Sequence, residues 1–351
     1  MIQPSAHEMH DPRKWLSYVP QTLADISPLY AHLYQSMQDD PELLTLLRLI
    51  DPDQPIPVLF FSVVSFLVLG EKQHPFAQFY PYLCPTPRSA EEAYPSFRAF
   101  CLAHRDELQT LLPTVRLQTN EVSRCAQLLP AFKLVFARGG YQPLALIEIG
   151  SSAGLNLNWH RYGYHYGKVV IGDRASPVQI HCRLLGSCVP PLPEVLPALA
   201  QCHGIELFPL DVTTEYAVRW LRACIWPEEQ ERYHRLDAAL EVAREHPPHI
   251  LSGDACERLP ELLAAVPPDE TLCVWHSFAL NQGPAEIREQ VIQMLTEASA
   301  ERTIYRISLE ANPAQSGGPR LELFTYQEGS LFHYEWLAEC DFHGRSLKWL
   351  C

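Results

Sequence analysis

Hydrophobic residues recur at helical spacing through the first 140 residues of the chain. After Thr119 and Asn120, either of which can cap a helix, apolar side chains follow three or four residues apart: Val122, Cys125, Leu129, Phe132 and Phe136. Gly139-Gly140 then supplies a helix stop, and Ser27-Pro28 and Pro41 are typical of the starts of earlier helices. The pattern predicts an N-terminal α-helical cap domain over residues 1–140.

The longest apolar run extends from Val58 to Leu69 and is interrupted only by Ser62 and Ser65. A helix that spans a bilayer needs about 20 apolar residues. The run is too short for this, and it predicts a helix of the protein core.

From Leu144 onwards, strand-like and helix-like segments alternate. The short apolar run Leu144–Ile149, bounded by Gly150, predicts a buried parallel strand. We expect further strands over 205–212, 249–252, 271–278 and 303–309. We expect helices over 214–225, 257–266 and 284–300, and another helix that begins at Pro227. Residues 320–338 predict a hairpin. This alternation predicts an α/β domain over residues 141–351, with a mostly parallel sheet and an antiparallel C-terminal hairpin. Residues 168–184 predict a β insertion of two short strands.

Composition restricts the function further. The 351 residues carry a formal net charge of −14, which argues against binding to nucleic acid or to anionic membranes through bulk charge. Eleven cysteines without a C-x-x-C pair or a zinc-like cluster indicate buried reduced thiols and no metal site. Met1–Trp15 lacks the apolar region of a signal peptide. We therefore expect a cytoplasmic protein.

Groups suited to ligand binding follow three of the predicted strands. They are Glu148-Ile-Gly150-Ser-Ser-Ala-Gly154, then Asp211, then Gly253-Asp254-Ala255. Ligands of open α/β sheets bind beyond the carboxyl ends of the strands. Each group also has a structural interpretation, since the glycines suit a tight turn and either aspartate can cap a helix.

Together these motifs resemble those of the Rossmann-like S-adenosylmethionine-dependent methyltransferases. Three further stretches resemble an uncharacterised bacterial family of unknown function that is grouped with these enzymes. They are Gln118–Val122, Leu155–Asn158 with Arg161-Tyr162, and Arg219–Pro227. The resemblance implies a Rossmann-like fold, S-adenosylmethionine as the cofactor, and a methyl acceptor that we expect to be a small molecule because no basic stripe is present.

The resemblance also implies roles for individual residues. Glu148, Gly150 and Gly154 would hold the methionine end of the cofactor, Asp211 its ribose and Asp254 its adenine. Ser152, Asn156 and Ala255 complete the expected cofactor contacts. The catalytic candidates are His276, Glu310 and Glu121, although a structural role for His276 is an alternative. The expected substrate ligands are Asn120, Arg124, Tyr162 and Trp226, with plain packing as the alternative for the aromatic residues.

Other functions fit parts of the same sequence. Gly150-Ser-Ser152-Ala-Gly154 also spells the Gly-x-Ser-x-Gly elbow of α/β hydrolases, and Asp254 with His276 or His343 would complete a triad. A nicotinamide-dependent oxidoreductase and a non-catalytic scaffold for a nucleoside or a protein partner are further alternatives. The sequence departs from the methyltransferase pattern at Ser152, which replaces a glycine, and at Ala311–Pro319, which replaces a helix.

Overall fold

The structure is a computed structural model that describes residues 23–311 and 318–351. The chain divides into two compact units. One unit contains the chain up to Thr119 together with Thr213–Leu236, and the other contains Asn120–Val212 and Asp237–Cys351. The predicted division at residue 140 differs from this at two places. The helix before the first strand belongs to the sheet unit because its Phe132 packs on Trp159 and Trp275, and residues 213–236 belong to the helical unit.

The α-helices of the described residues, numbered α1 to α11 in chain order, are Leu23–Ile26, Pro28–Met37, Pro41–Leu47, Ile56–Gly70, Ala93–Ala103, Arg105–Leu111, Cys125–Arg138, Glu215–Ala223, Gln230–Glu245, Ala255–Ala265 and Ala285–Ala298. Short 3₁₀ helices lie at Pro75–Phe79, Ala90–Glu92, Val122–Arg124 and Leu155–Arg161.

The strands β1 to β12 are Leu144–Ile149, Gly163–Tyr166, Val169–Gly172, Gln179–His181, Arg183–Leu184, Leu199–Glu206, His249–Ser252, Thr271–Ser277, Ile304–Glu310, Arg320–Gln327, Ser330–Cys340 and Ser346–Trp349.

The helical unit is organised around α4. This helix confirms the predicted core helix and is buried on nearly all sides. The hydroxyl of Ser65 on α4 bonds the buried hydroxyls of Tyr30 and Tyr80, at 2.7 and 3.1 Å. The predicted starts of α2 and α3 are also confirmed: the Ser27 hydroxyl accepts the Tyr30 N–H, and α3 begins at Pro41 with Asp40 as its cap. Among the described residues, no helix has the length and apolar character needed to cross a membrane.

The larger sheet of the second unit has the order β5-β12-β11-β10-β9-β8-β1-β6-β7. The five neighbouring strands β7, β6, β1, β8 and β9 run parallel to one another, and β10 and β11 are antiparallel. The central strand β1 marks a reversal of strand order, because β6 and β7 follow on one side of it and β8 and β9 on the other. The prediction of an α/β unit with a mostly parallel sheet and a C-terminal hairpin is confirmed.

The second parallel strand lies earlier in the chain than predicted. It is β6, Leu199–Glu206, and not 205–212. Pro209 has no N–H for a central ladder, and Leu207 and Phe208 are each more than half exposed. Glu206 therefore ends the strand, and Asp211 lies in the segment beyond it.

The segment after β1 is short: Leu155–Arg161 forms a 3₁₀ helix that leads into the strand β2. One predicted helix start differs. Helix α9 begins at Gln230 and not at Pro227, and the Glu228 carboxylate instead accepts the Leu29 N–H at 2.9 Å. The predicted insertion contains three short strands and not two: β3 and β4 pair with the preceding β2 in a small sheet of order β3-β2-β4, and β5 joins the larger sheet beside β12. The segment Ala311–Pro319, which is predicted to take the place of a helix in the methyltransferase pattern, lies mostly outside the described residues.

The expectation that the cysteines are reduced thiols is wrong for Cys188 and Cys351. These two residues form a disulfide with a Cα separation of 5.8 Å. The other cysteines are free thiols, most of them buried. The thiol argument for a cytoplasmic protein therefore does not hold at this pair, and the compartment stays a prediction.

The disulfide joins residues 163 positions apart, so its loss should destabilise the fold by enlarging the unfolded ensemble. We expect Cys351→Ser to lower the free energy of unfolding by about 2–4 kcal/mol in non-reducing urea titrations. The matched control is Cys84→Ser, which removes a free and partly exposed thiol. Equal stability of Cys351→Ser and the unmodified protein without reductant would contradict the prediction.

Candidate active site

The loop after β1 folds back sharply at the centre of the sheet. Gly150, Ser152 and Gly154 all have left-handed backbone angles, with φ of 76°, 54° and 69°. At Gly150 an added Cβ would lie 2.4 Å from the Cβ of Ala279. Glycine therefore allows the loop after β1 to touch the loop after β8, its neighbour in the sheet. This is the reversal point at which open α/β sheets bind ligands.

Buried polar atoms collect at this loop. Glu148, the penultimate residue of β1, is 2% exposed, and Ser151 and Ser152 are also buried. Within the described chain, Glu148 Oε2 and both serine hydroxyls have no hydrogen-bond partner. Native proteins leave few buried polar groups unsatisfied, so three at one strand end indicate a place for a polar ligand or water.

Burial also controls the ionisation of Glu148. Its pKa is raised well above the usual glutamate value because burial disfavours the charged form, and the nearby Glu206 carboxylate adds to this. A hydrogen bond from Asn156 and the charge of Arg124 oppose the increase. Cys125 donates from its thiol to the Asn156 side chain at 3.5 Å, so Asn156 is fixed from both sides. A positively charged ligand group would therefore favour ionisation of Glu148.

Glu206 stands at the carboxyl end of β6, directly beside the loop. Its Oε2 accepts the Ser152 N–H at 2.7 Å and its Oε1 accepts the Phe208 N–H at 3.1 Å. The sequence did not point to Glu206, because the strand was predicted over 205–212 and the expected contact with the cofactor ribose was assigned to Asp211. The signal that could have found it is Pro209, which limits how far a central strand can extend.

The third predicted acid lies beyond the edge strand β7. Asp254 caps helix α10, with Oδ1 accepting the Cys256 N–H at 2.7 Å, so the capping interpretation holds for this oxygen. Ala255 is the first residue of α10 and packs against the hydrophobic core. Since β7 pairs with β6, Asp254 follows the strand next to the one that ends at Glu206.

The catalytic candidates His276 and Glu310 lie at the ends of β8 and β9, where they contact each other, and both are committed to the protein. His276 Nδ1 lies 2.8 Å from Glu310 Oε1, and its Nε2 lies 3.2 Å from Arg306 Nη1. The guanidinium can only donate, so Nε2 accepts and the Nδ1–H donates to Glu310. Burial lowers the pKa of His276, in opposition to the Glu310 carboxylate, and keeps the ring neutral.

The same Glu310 oxygen fixes the loop after β8. It accepts the N–H groups of Ala279 and Leu280 at 3.0 and 3.1 Å. Ala279 is the residue that touches Gly150, so this carboxylate positions the wall opposite the loop after β1. The arrangement gives His276 and Glu310 a positioning role.

The predicted substrate ligands before α7 also reach the sheet. The Asn120 side chain accepts the Leu155 N–H at 2.9 Å, which ties it to the loop after β1. Arg124 is buried, lies 4.0 Å above the Phe278 ring, and donates to the Phe342 carbonyl at 3.1 Å. The third catalytic candidate, Glu121, is buried and caps the Val122–Arg124 turn, and its Oε2 lies 3.5 Å from His343 Nδ1.

The remaining predicted ligands are placed differently. Tyr162 is fully buried and donates from its hydroxyl to the Leu155 carbonyl at 2.5 Å, which fits packing beneath the 3₁₀ helix. Trp226 belongs to the helical unit, where its ring lies 6.2 Å from that of Tyr30.

The hydrolase triad is not assembled. Ser152 has the left-handed backbone of an elbow, yet its hydroxyl has no hydrogen-bond partner among the described residues. Asp254 caps α10, and the carboxylate bonded to His276 is Glu310. A serine nucleophile needs a base in contact with it, and the described part of the chain places none beside Ser152.

Comparison with known proteins agrees with the resemblance to a bacterial family. The family described as "Uncharacterized protein conserved in bacteria (DUF2332)" matches residues 18–349. The chain belongs to DUF2332. No curated protein and no solved structure matches it. The membership of DUF2332 confirms the resemblance to an uncharacterised family and leaves the reaction to be argued from the site.

The contact at Gly150 should make this position intolerant of a side chain. We expect Gly150→Ala to cost about 1–2 kcal/mol for its left-handed backbone and about 1–3 kcal/mol more for the clash with Ala279. Gly140→Ala is the matched control, because Gly140 has φ of 69° and nothing within 4 Å of an added Cβ. Urea unfolding of both variants measures the difference between their free energies of unfolding. Equal losses of this free energy in the two variants would show that the loops do not touch.

The raised pKa of Glu148 makes stability depend on pH. Below the ordinary glutamate pKa of about 4.3 the group is protonated in both states, and as the pH rises the unfolded chain ionises more readily, which lowers stability. Glu148→Gln should therefore gain stability relative to the unmodified protein as the pH rises above that value. Chemical unfolding at several pH values checks this, with exposed Glu257→Gln as the control. If the difference in free energy of unfolding between Glu148→Gln and the unmodified protein stayed the same at every pH, the prediction would be contradicted.

Proposed function

We propose that this protein is a Rossmann-like, S-adenosylmethionine-dependent methyltransferase of a small-molecule acceptor, with the sheet unit holding the cofactor. The observation that carries the proposal is the meeting of Glu206 at the end of β6 with the glycine-rich loop after β1, through the Ser152 N–H. The strand order outward from β1 supports it, since β6 and β7 lie on one side and β8 and β9 on the other.

Glu206 takes the ribose role that the sequence assigned to Asp211. A carboxylate offers about four acceptor positions, so one group can accept backbone N–H groups and ribose hydroxyls together. Glu206 has the required place, at a strand end next to β1 and in contact with the loop. Asp254 follows the neighbouring strand and is assigned to the adenine amino group.

Glu148 suits the amino group of the methionine moiety. The buried carboxylate with a raised pKa lacks a partner at Oε2, and an ammonium would supply both a hydrogen bond and a compensating charge. Gly150, Ser152, Gly154 and Asn156 form the wall around it. When bound, S-adenosylmethionine supplies a methyl group on a positively charged sulfur.

The acceptor side is assigned to residues at the start of α7. Asn120 and Arg124 are tied to the loops after β1 and β8, so they can orient an acceptor beside the cofactor loop. Glu121, next to His343, is the proposed proton acceptor. His276 and Glu310 act as positioning residues, because their hydrogen bonds hold the loop that contacts Gly150.

A binding protein without turnover is the second candidate. The observation that favours it is the commitment of both His276 nitrogens to Glu310 and Arg306, which removes the predicted base. Conversion of radiolabelled S-adenosylmethionine to S-adenosylhomocysteine in the presence of a bacterial small-molecule extract separates the two. Binding without conversion would favour the scaffold.

Thermal unfolding with S-adenosylmethionine and S-adenosylhomocysteine tests the cofactor. A ligand at a hundredfold its dissociation constant adds about 2.7 kcal/mol to the free energy of unfolding. We expect a rise in Tm with both ligands that is largely lost in Glu206→Gln and retained in the matched control Asp211→Asn. A shift lost only in Asp211→Asn would return the ribose role to that residue, and no shift in the unmodified protein would contradict the proposed function.

A further inference from the structure

Strand β11 has an outer edge that is only partly used. It pairs with β10 along its length but with β12 only over Ala338–Cys340, and Leu350 adds one bond to the Leu337 carbonyl. Over residues 330–336, no described strand pairs with this edge. An exposed strand edge presents unpaired N–H and C=O groups and can pair with another strand.

The same segment exposes large apolar side chains. Leu331 and Phe332 are 52% and 69% exposed, and Tyr334 and Trp336 are 44% and 37% exposed. These four side chains lie within six residues of one strand, whereas apolar residues exposed singly are ordinary in soluble proteins. Tyr334 also packs on Phe324 of β10, with ring centroids 4.9 Å apart, which fixes the ring at the surface.

The sequence of this edge is chemically symmetric. Phe332-His333-Tyr334-Glu335-Trp336 reads from either end as aromatic, ionisable, aromatic. If the segment pairs antiparallel with an identical segment about Tyr334, aromatic faces aromatic and His333 faces the partner's Glu335. Centring on His333 or on Glu335 would instead place identical ionisable residues opposite each other, which disfavours those registers.

We propose that the outer edge of β11 is the interface with a second copy of this chain, formed by residues 332–336 about a two-fold axis at Tyr334. Such a contact is self-complementary, as an isologous interface must be. It would join the large sheets of two copies into one.

The aromatic side chains must supply most of the interface. The register between β10 and β11 shifts between Leu321 and Glu322 and again between Thr325 and Tyr326, so the regularly paired part of β11 is short. A short edge forms few backbone hydrogen bonds, and a stable interface needs about 800 Å² from each partner. Phe332 is therefore the side chain whose loss should matter most.

Ion pairs within the chain already orient the charges. Glu335 pairs with Arg138 at the end of α7, which lowers the pKa of this carboxyl and keeps it ionised. His333 Nε2 lies 3.6 Å from the same carboxylate. Glu335 is thus held on the edge, where the partner's His333 would meet it.

Sedimentation velocity of the full chain in the micromolar range tests the proposal. The expected mass is twice the 39.9 kDa of one chain, and Phe332→Asp should reduce it to a single copy. The matched control is Val195→Asp, at an exposed apolar position in another part of the sheet unit, which should leave the mass unchanged. A single copy for the unmodified chain, or a doubled mass that survives Phe332→Asp, would overturn the interface.

A charge swap tests the register. Glu335→Arg would face the partner's His333 and should weaken association at least tenfold, and adding His333→Glu should restore it because the introduced arginine then faces the partner's introduced glutamate. Unfolding midpoints of both variants verify that each one folds. Failure of the double variant to recover, with its fold intact, would overturn the Tyr334-centred register.

Discussion

The burial of Glu148 in the central strand is the constraint on which the candidate site depends. A carboxylate at this position is separated from water on all sides, and the fold provides Asn156 and the charge of Arg124 without satisfying both of its oxygens. Such a group reduces stability at neutral pH, so a stability role does not explain it. A cationic ligand would remove that penalty, which couples ligand binding to the ionisation of the site.

The loops around this carboxylate are fixed by a small number of contacts. Gly150 allows the loop after β1 to meet Ala279, and Glu310 holds the Ala279 N–H from the next strand. On the other side, Glu206 holds the Ser152 N–H. The site is therefore positioned from both neighbours of β1, and a change in either neighbour would move the loop. Such preorganisation is what a site needs if it is to orient a ligand.

His276 shows how a residue type can suggest chemistry that its surroundings do not support. At the end of a parallel strand a histidine has the position of a base. In the structure its two nitrogens contact Glu310 and Arg306, and burial lowers its pKa. The contacts that make it unsuitable as a base come from β9, whose side chains reach it only across the sheet.

Local patterns predicted most elements of this protein. β1 was found at its observed bounds, α4 was identified as a core helix, and the C-terminal hairpin was recognised from its alternation, because each depends on residues close in sequence. Glycines at 150 and 154 also identified the central loop. The division of the chain into two units was harder to predict from the sequence. Helix α7 joins the sheet unit through aromatic side chains that only folding brings together.

The amino-acid sequence by itself determined the alternating strands and helices, the glycine-rich loop and the membership of DUF2332, since periodicity and motif spacing are local properties. The tertiary structure alone decided that Glu206 meets the Ser152 N–H, that His276 is held by Glu310 and Arg306, and that Cys188 meets Cys351. Each of these depends on which strands become neighbours. Strand neighbours are set by long-range packing, which no short stretch of sequence encodes.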